Sequence, residues 1–236
     1  ITVLRIVRLI SILLTNKTAL LNIKCGESFF RVRATDFRKN QGGRSLLIYN
    51  NSNDGFLEYG HNFLEPSDIA IDGGANQGVY SCSIAKQIGS SGKIIAIEPL
   101  SKPVKMFKEN IKLNNFKNIF IEKCALWKKN TSGKIYFNKD DYGQASVVNK
   151  SKLFEKTKLK KLDDIVTKYN LKEVNLIKLD LQGAEIFAIE GAEKTISKFK
   201  PILYLECDKI SFDKVFKKLK KYNYKSFSLK YNGELE

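Results

Sequence analysis

The chain has 236 residues and a formal net charge of +16, from 41 Lys and Arg against 25 Asp and Glu, and 43% of its residues are hydrophobic. This length suits one domain or one domain with an appendage, and the hydrophobic content excludes a disordered chain. With four cysteines, none in a C-x-x-C pair, and one histidine, the composition argues against a zinc cluster. It indicates reduced thiols in a cytoplasmic protein.

The positive charge would attract nucleic acid, anionic lipid surfaces or acidic glycans. Most of the excess is lysine, and it is spread along the chain rather than gathered in an Arg-rich stripe with interleaved aromatic residues. We therefore interpret the charge mainly as a solvated surface, and we keep nucleic acid as a less favoured partner.

The first 14 residues are apolar apart from Arg5, Arg8 and a few small polar residues. This segment is shorter than the roughly 20 apolar residues that a membrane span needs. Two interpretations remain: a helix packed on the domain, which we favour, or an amphipathic helix on the cytosolic face of a membrane.

Hydrophobic periodicity and turn residues predict the elements in chain order. Residues 18–38 predict a hairpin with strands at 20–24 and 29–33, followed by short helices at 44–49 and 55–61. Further strands are predicted at 68–72, 93–98, 118–123, 133–138, 145–148, 174–180, 201–206 and 224–230. Helices are predicted at 77–88, 101–114 with Ser101 as N-cap, 162–169, 183–197 and 211–222.

From residue 68 the predicted strands and helices alternate. Such alternation is typical of an α/β fold with a mostly parallel, doubly wound sheet. We expect residues 67–236 to form this domain and residues 1–66 to form an N-terminal extension of helix and hairpin. Ligands of such sheets bind beyond the carboxyl ends of the strands.

The first informative motif has the pattern D-x-G-x-N-x-G and runs from Asp72 to Gly78, directly after an apolar strand. A second apolar strand ends at Glu98, 26 residues later (98 − 72 = 26). Glycines before a helix let the main chain approach a ligand, and an acid that ends the next strand can hold a ribose diol. Because Asp72 would repel a pyrophosphate and suits a cationic sulfonium, the motif favours S-adenosylmethionine over NAD.

We expect Asp72 to hold the ammonium of this cofactor directly or through water, and Glu98 to accept hydrogen bonds from both ribose hydroxyls. Backbone groups that follow the third strand would meet the adenine. The complete set of candidate cofactor-binding residues is Asp72, Gly73, Gly74, Ala75, Asn76, Gly78, Glu98, Pro99, Cys124, Ala125 and Asp180.

The second informative motif is the strand that contains Lys178 and Asp180, whose side chains should share one face. A lysine within an apolar strand is costly to bury unless it pairs with an acid. One interpretation is a structural ion pair. The other is that Lys178, Asp180 and Glu185 face the transferred methyl group, where one of them orients the acceptor hydroxyl or takes its proton.

The order of D-x-G-A-N-x-G, I-E-P, A-L, L-D-D, I-K-L-D-L-Q-G-A-E and P-I-L-Y-L-E over residues 68–206 resembles the FkbM-type methyltransferases. The resemblance implies a Rossmann-like class I fold and S-adenosylmethionine-dependent O-methylation. The implied acceptor is a hydroxyl of a sugar, a lipid-linked glycan or a small natural product. Gln182 stands where the family commonly has an acid, which argues against a metal ion and leaves the general base open.

Two other functions remain as alternatives to O-methylation of such an acceptor. The first is a nucleic-acid methyltransferase, which the net charge suggests. The second is a non-catalytic module that binds the cofactor.

Overall fold

The computed structural model describes residues 19–25, 28–34, 55–139, 141–230 and 233–236. The strands are β1 (Ala19–Cys25), β2 (Ser28–Ala34), β3 (Ile69–Gly73), β4 (Lys93–Ile97), β5 (Ile119–Glu122), β6 (Ala125–Leu126), β7 (Thr131–Asn138), β8 (Asp141–Ser146), β9 (Leu153–Lys160), β10 (Leu176–Leu179) and β11 (Ile202–Leu205). The helices are α1 (Gly55–Tyr59), α2 (Val79–Ile88), α3 (Ser101–Leu113), α4 (Leu162–Lys168), α5 (Glu185–Glu190), α6 (Glu193–Phe199) and α7 (Lys209–Leu219). Short 3-10 turns follow α1 at Gly60–Phe63 and α7 at Lys220–Tyr222.

The central sheet has five parallel strands in the order β11-β10-β3-β4-β5. Alternate residues of its strands enter two apolar clusters: Ala70 and Ile94 belong to one, and Ile71 and Ile95 to the other. Because the sheet is buried on both faces, its strands are apolar almost throughout. The predicted doubly wound, Rossmann-like α/β fold is confirmed, and the strand order reverses between β3 and β10. This is the point at which such sheets bind ligands.

A second, mixed sheet has the order β6-β9-β7-β8, and its strands follow β5 in the chain. Its strand β9 was not predicted, because residues 153–160 resemble a solvated charge run when they are read alone. The predicted hairpin is confirmed as β1 and β2, which pair antiparallel from Ala19↔Ala34 to Cys25↔Ser28 and lie against α2 and α3.

The predicted single helix over 183–197 is wrong, since the structure has α5 and α6 in its place. Two contacts account for the break. A Cβ on Gly191 would lie 2.2 Å from the carbonyl oxygen of Trp127, the residue after β6, so the main chain passes too close to this segment for any side chain at position 191. The buried carboxylate of Asp163 then accepts hydrogen bonds from the N–H groups of Lys194 and Thr195, which caps a new helix.

Three smaller predictions are also corrected. Residues 224–230 form no strand, and only an isolated bridge joins Leu229 to Leu235. The strand predicted at 145–148 is displaced toward the N-terminus, because β8 ends at Ser146. The N-cap of α3 is Leu100 rather than Ser101, whose N–H and Oγ both donate to Glu155 Oε2 at 3.1 and 2.7 Å.

The segments predicted as helices at 1–14 and 44–49 lie outside the described residues, and the domain boundary after residue 66 stays a prediction. Across the described ranges, no helix combines the length and apolar character that crossing a membrane requires.

Gly78 begins α2 with φ +83°, and a Cβ there would lie 2.0 Å from the ring of the buried Phe107 on α3. Gly89 ends the same helix with φ +71° and open space around its Cα. We expect Gly78→Ala to lower the free energy of unfolding by about 2–5 kcal/mol, through both strain and overpacking. Gly89→Ala should cost only about 1–2 kcal/mol of backbone strain. Urea unfolding of both variants checks this, and equal losses would contradict it.

Candidate functional site

An open cleft of about 530 Å³ lies at the carboxyl ends of β3, β4 and β10, where the strand order reverses. The central sheet contributes its polar wall, with Gly74, Asn76, Glu98 and Asp180. Its apolar wall comes from the segment after β5 and from the mixed sheet, and includes Cys124, Ala125, Leu126, Ile135, Ala145 and Val147. This combination of an apolar surface with a few convergent polar groups is typical of a small-molecule site.

The turn after β3 is fixed by its own backbone bonds. The N–H groups of Gly74 and Ala75 both donate to the carbonyl oxygen of Ile97, at 3.0 and 3.1 Å. Gly74 has φ +78°, and a Cβ there would lie 1.9 Å from the carbonyl oxygen of Asp180. The close approach of the loops after β3 and β10 therefore requires a glycine at position 74, whether or not a ligand also approaches there.

Glu98 is buried, with 5% of its surface exposed, yet it is one of the residues that line the cleft. Its Oε2 accepts a hydrogen bond from the N–H of Asn76 at 2.9 Å, and its Oε1 accepts one from the N–H of Leu100 at 2.8 Å. Burial raises the pKa of Glu98 to about 7, although these two bonds oppose the rise. A carboxylate offers about four acceptor sites, so each oxygen keeps one for a ligand.

Asp72 and Lys178 form a buried ion pair between β3 and β10. The Lys178 Nζ lies 3.5 Å from Asp72 Oδ1, and the two side chains are 1% and 0% exposed. Asp72 Oδ2 accepts a hydrogen bond from Ser81 Oγ at 2.6 Å, and the ring of Tyr80 lies 4.3 Å from the Lys178 Nζ. Burial acts to lower the pKa of Lys178, but nearby carboxylates, Asp72 foremost, outweigh it and hold this pKa above its ordinary value.

Asp180 directly follows β10 and lines the cleft, with 20% of its side chain exposed. Its Oδ2 lies 3.8 Å from the Lys178 Nζ, and its Oδ1 accepts a hydrogen bond from Gln182 Nε2 at 2.7 Å. The Gln182 backbone is left-handed, with φ +51°. Its carbonyl oxygen accepts hydrogen bonds from Ser146 Oγ at 2.8 Å and Asn149 Nδ2 at 3.0 Å, which tie the mixed sheet to this loop.

Glu185 is completely buried beneath the same loop and does not line the cleft. Its carboxylate accepts hydrogen bonds from the N–H of Leu181 at 2.7 Å and from the N–H of Gly183 at 3.1 Å. Burial raises its pKa above the ordinary value, while these bonds act in the opposite direction. The two hydrogen bonds hold the loop of residues 181–183 against Glu185. Glu185 itself is not part of the cleft lining.

The structure divides the residues predicted for the site into two groups. Those that line the cleft are Gly74, Asn76, Glu98, Pro99, Cys124, Ala125 and Asp180. Those that support it from outside the lining are Asp72, Gly73, Ala75, Gly78, Lys178 and Glu185. The binding and catalytic roles given to both groups stay predictions. Across the residues that the structure describes, no cluster of three or more His, Cys, Asp or Glu side chains is arranged to hold a metal ion.

Sequence reasoning missed two kinds of residue. Ser81, which bonds Asp72, lies one turn into α2 and carries no motif. Tyr142 lines the cleft from the mixed sheet, stacked on Phe137 with ring centroids 5.4 Å apart and an interplanar angle of 21°. A polar residue at a buried helical position was the signal available for Ser81, whereas Tyr142 had none.

The buried ion pair can be tested by a double-mutant cycle. Asp72→Asn and Lys178→Met should each lower the free energy of unfolding by about 3–5 kcal/mol, since each removes the nearest opposite charge from a buried ionised group. The double variant should lose less than the sum of the two, because it removes both charges. Urea unfolding of the four proteins measures this coupling, and additive losses would show that the two charges do not stabilise each other.

Comparison with known proteins gives relatives that are similar over part of their length. The chain is 27% identical over 150 residues to Methyltransferase 1 of Beauveria bassiana (strain ARSEF 2860), which covers 54% of this chain and 60% of that protein. It is 19% identical to the crystal structure of a methyltransferase FkbM from Methylobacillus flagellatus KT, with a TM-score of 0.45, over 60% of this chain and 33% of that one. A SAM-dependent O-methyltransferase from Thermotoga maritima is 16% identical, with a TM-score of 0.43, over 66% of this chain and 44% of that one.

The chain thus spans three fifths of the curated relative and a third of the Methylobacillus chain. The family model of the methyltransferase FkbM domain matches residues 72–226, which is more than half of the chain and begins at Asp72, near the end of β3. The chain therefore belongs to the FkbM methyltransferase domain family.

Proposed function

We propose that this domain uses S-adenosylmethionine to methylate a hydroxyl group of a sugar, a lipid-linked glycan or a small natural product. The observation that carries the proposal is the carboxylate of Glu98, which is buried, is held by two backbone N–H groups and belongs to a residue that lines the cleft. Two free acceptor sites on one fixed carboxylate suit the two hydroxyls of a ribose.

The charge of the site supports a cationic ligand. Asp72, Glu98 and Asp180 surround a single buried lysine, so carboxylates outnumber ammonium groups at this end of the sheet. When bound, S-adenosylmethionine would supply a methyl group already activated by its positive sulfur. The protein then has to hold the reactants in line and exclude water, and positioning of this kind supplies up to roughly 7–11 kcal/mol in the best intramolecular cases.

The adenine would fit the apolar wall, where Cys124 and Ala125 lie next to Leu126. Burial raises the pKa of the Cys124 thiol to about 11. The thiol therefore stays protonated at neutral pH and contributes a small apolar surface rather than a nucleophile.

We assign to Asp180 the roles of orienting the acceptor hydroxyl and accepting its proton, because this residue lines the cleft and 20% of its side chain is exposed. Lys178 and Gln182 each contact one of its oxygens and so fix its orientation. We assign Lys178 and Glu185 to supporting roles, since both are buried and neither lines the cleft.

Calorimetry with S-adenosylmethionine tests the donor half of the proposal. Glu98→Gln should weaken binding by roughly 10- to 100-fold, because a charged acceptor contributes about 1.5–3 kcal/mol. The matched control is Glu122→Gln, another buried carboxylate at the end of a strand. Glu122 bonds Lys160, Lys168 and Tyr169 and does not line the cleft, so this variant should bind the cofactor normally. Absence of binding by the unaltered protein would overturn the proposal.

The affinity for S-adenosylmethionine should also depend on pH. Glu98 has a pKa of about 7 in the free protein, and its ionised form is the stronger acceptor for ribose hydroxyls. Binding should therefore tighten as pH rises through 7, by about tenfold between pH 6 and pH 8, if only the ionised form binds. Calorimetry across this range measures the change, and Glu98→Gln should remove it. A pH dependence that survives in this variant would assign it to another group.

The acceptor half needs a transfer assay. The protein is incubated with cofactor that carries a labelled methyl group and with fractionated glycans, lipids and RNA. The label should enter a glycan, lipid-linked sugar or small-molecule fraction. It should be held there as a methyl ether, which resists mild alkali. Asp180→Asn should slow this transfer while cofactor binding persists. Label in RNA alone would favour the nucleic-acid alternative, and binding without transfer into any fraction would favour a non-catalytic module.

A further inference from the structure

The outer face of the β7–β9 pair combines lysines with aromatic rings. Side chains alternate along both strands, so Ile135 and Leu159 are buried on the inner face, and Ile135 lines the cleft. The opposite face carries exposed lysines and two aromatic residues. We call this set the lysine face: Lys134 and Tyr136 on β7, with Phe154, Lys156 and Lys158 on β9.

Within the described part of the chain, no acid neutralises the three lysines of the lysine face through an ion pair. Glu155, the acid of β9, accepts hydrogen bonds from Ser101 instead. Where the structure describes the chain, none of the ion pairs involves Lys134, Lys156 or Lys158.

Two of these lysines are direct cross-strand partners, because the register pairs Lys134 with Lys156. Side chains in such pairs have Cβ atoms about 4.5–5.5 Å apart, and like charges there destabilise the sheet. Lys158 lies two residues further along β9 on the same face. The free protein thus holds three positive charges together, and a bound polyanion would remove their repulsion.

The aromatic rings lie at one end of this row of charges. Tyr136 and Phe154 are cross-strand partners whose ring centroids are 6.0 Å apart at 62°, and 43% of Phe154 is exposed. The Lys134 Nζ lies 4.0 Å from the Phe154 ring centroid, so charge and ring form one surface.

We propose that the lysine face binds single-stranded nucleic acid. This polymer combines a regular row of anions with flat bases that stack on aromatic side chains, and the lysine face offers a partner for each. A lipid surface is a poorer match. Peripheral membrane binding buries the apolar side of an amphipathic element below the head groups. On the lysine face, the aromatic rings lie among lysines and form no separate apolar side. The bound strand would lie on the outside of the wall whose inner side lines the cleft.

Fluorescence anisotropy with labelled 12-nucleotide RNA and DNA tests this surface without cofactor or methyl acceptor, so its outcome is independent of the proposed methyl transfer. Lys134→Gln, Lys156→Gln and Lys158→Gln combined should lower the slope of log K against log salt by about 2, since each neutralised phosphate in a single strand contributes about 0.7. The matched control combines Lys105→Gln, Lys108→Gln and Lys112→Gln, three exposed lysines of α3, with the same change in net charge.

Phe154→Leu separates base stacking from charge. It should weaken oligonucleotide binding roughly tenfold with an unchanged salt slope, because stacking is lost while every lysine remains. Phe120→Leu is its control, at a ring on β5 that is 38% exposed. Urea unfolding of each variant confirms that it is folded.

Three results would overturn the proposal. The first is an equal loss of slope in both triple variants, which would show diffuse attraction by net charge. The second is tighter binding to polygalacturonate than to the oligonucleotides with no effect of Phe154→Leu, which would indicate an acidic glycan. The third is binding to phosphatidylserine vesicles in the absence of oligonucleotide binding.

Discussion

The arrangement of the cleft depends on one desolvated ion pair, between Asp72 on β3 and Lys178 on β10. These residues are register partners in the sheet, and their neighbours in the register are Ile71↔Ile177 and Gly73↔Leu179. A slip of one residue in either direction would place the ammonium opposite Ile71 or Gly73 and would separate Asp72 from its positive partner in the core. Because an unpaired buried charge is far more costly than an exposed one, the pair selects a single alignment of the two strands. That alignment brings the turn at Gly74 and the carboxylate of Asp180 to the same edge of the sheet.

Charge is distributed unevenly between the cleft and the surface. The cleft end of the sheet gathers carboxylates around one lysine, although the whole chain carries a net charge of +16. A cationic ligand that approaches the protein is therefore repelled by the average surface and stabilised only after it reaches this edge. An anionic molecule meets the opposite situation, since the surface attracts it and the cleft wall does not. The net charge alone consequently says little about what the cleft binds.

Much of the fold was predictable because it depends on short-range patterns. The apolar strands, the alternation with helices and the acid at Glu98 are all visible within about 30 consecutive residues. The failures involve contacts between distant segments. The break at Gly191 involves contacts with Trp127 and Asp163, and the strand β9 becomes recognisable only through its pairing with β7. The lysine face was missed for the same reason, since its charges and rings interleave across two strands and not along one. The glycines of the first motif were predicted to let a ligand approach the main chain. The structure adds a second reason for them, because Gly74 packs against Asp180 and Gly78 against Phe107.

The bond from Ser146 Oγ to Gln182 joins the mixed sheet to the β10 loop through a main-chain carbonyl. A contact of this kind does not depend on the side chain at position 182, so that position can alternate between an amide and an acid without detaching the sheet. Residues 141–145 precede this anchor and form the part of β8 that reaches the cleft. Side chains in this stretch of β8 can therefore change while the anchor at Gln182 and the edge formed by β3 and β10 keep their geometry. The lining of the cleft can in this way vary through one short strand without any change in the central sheet.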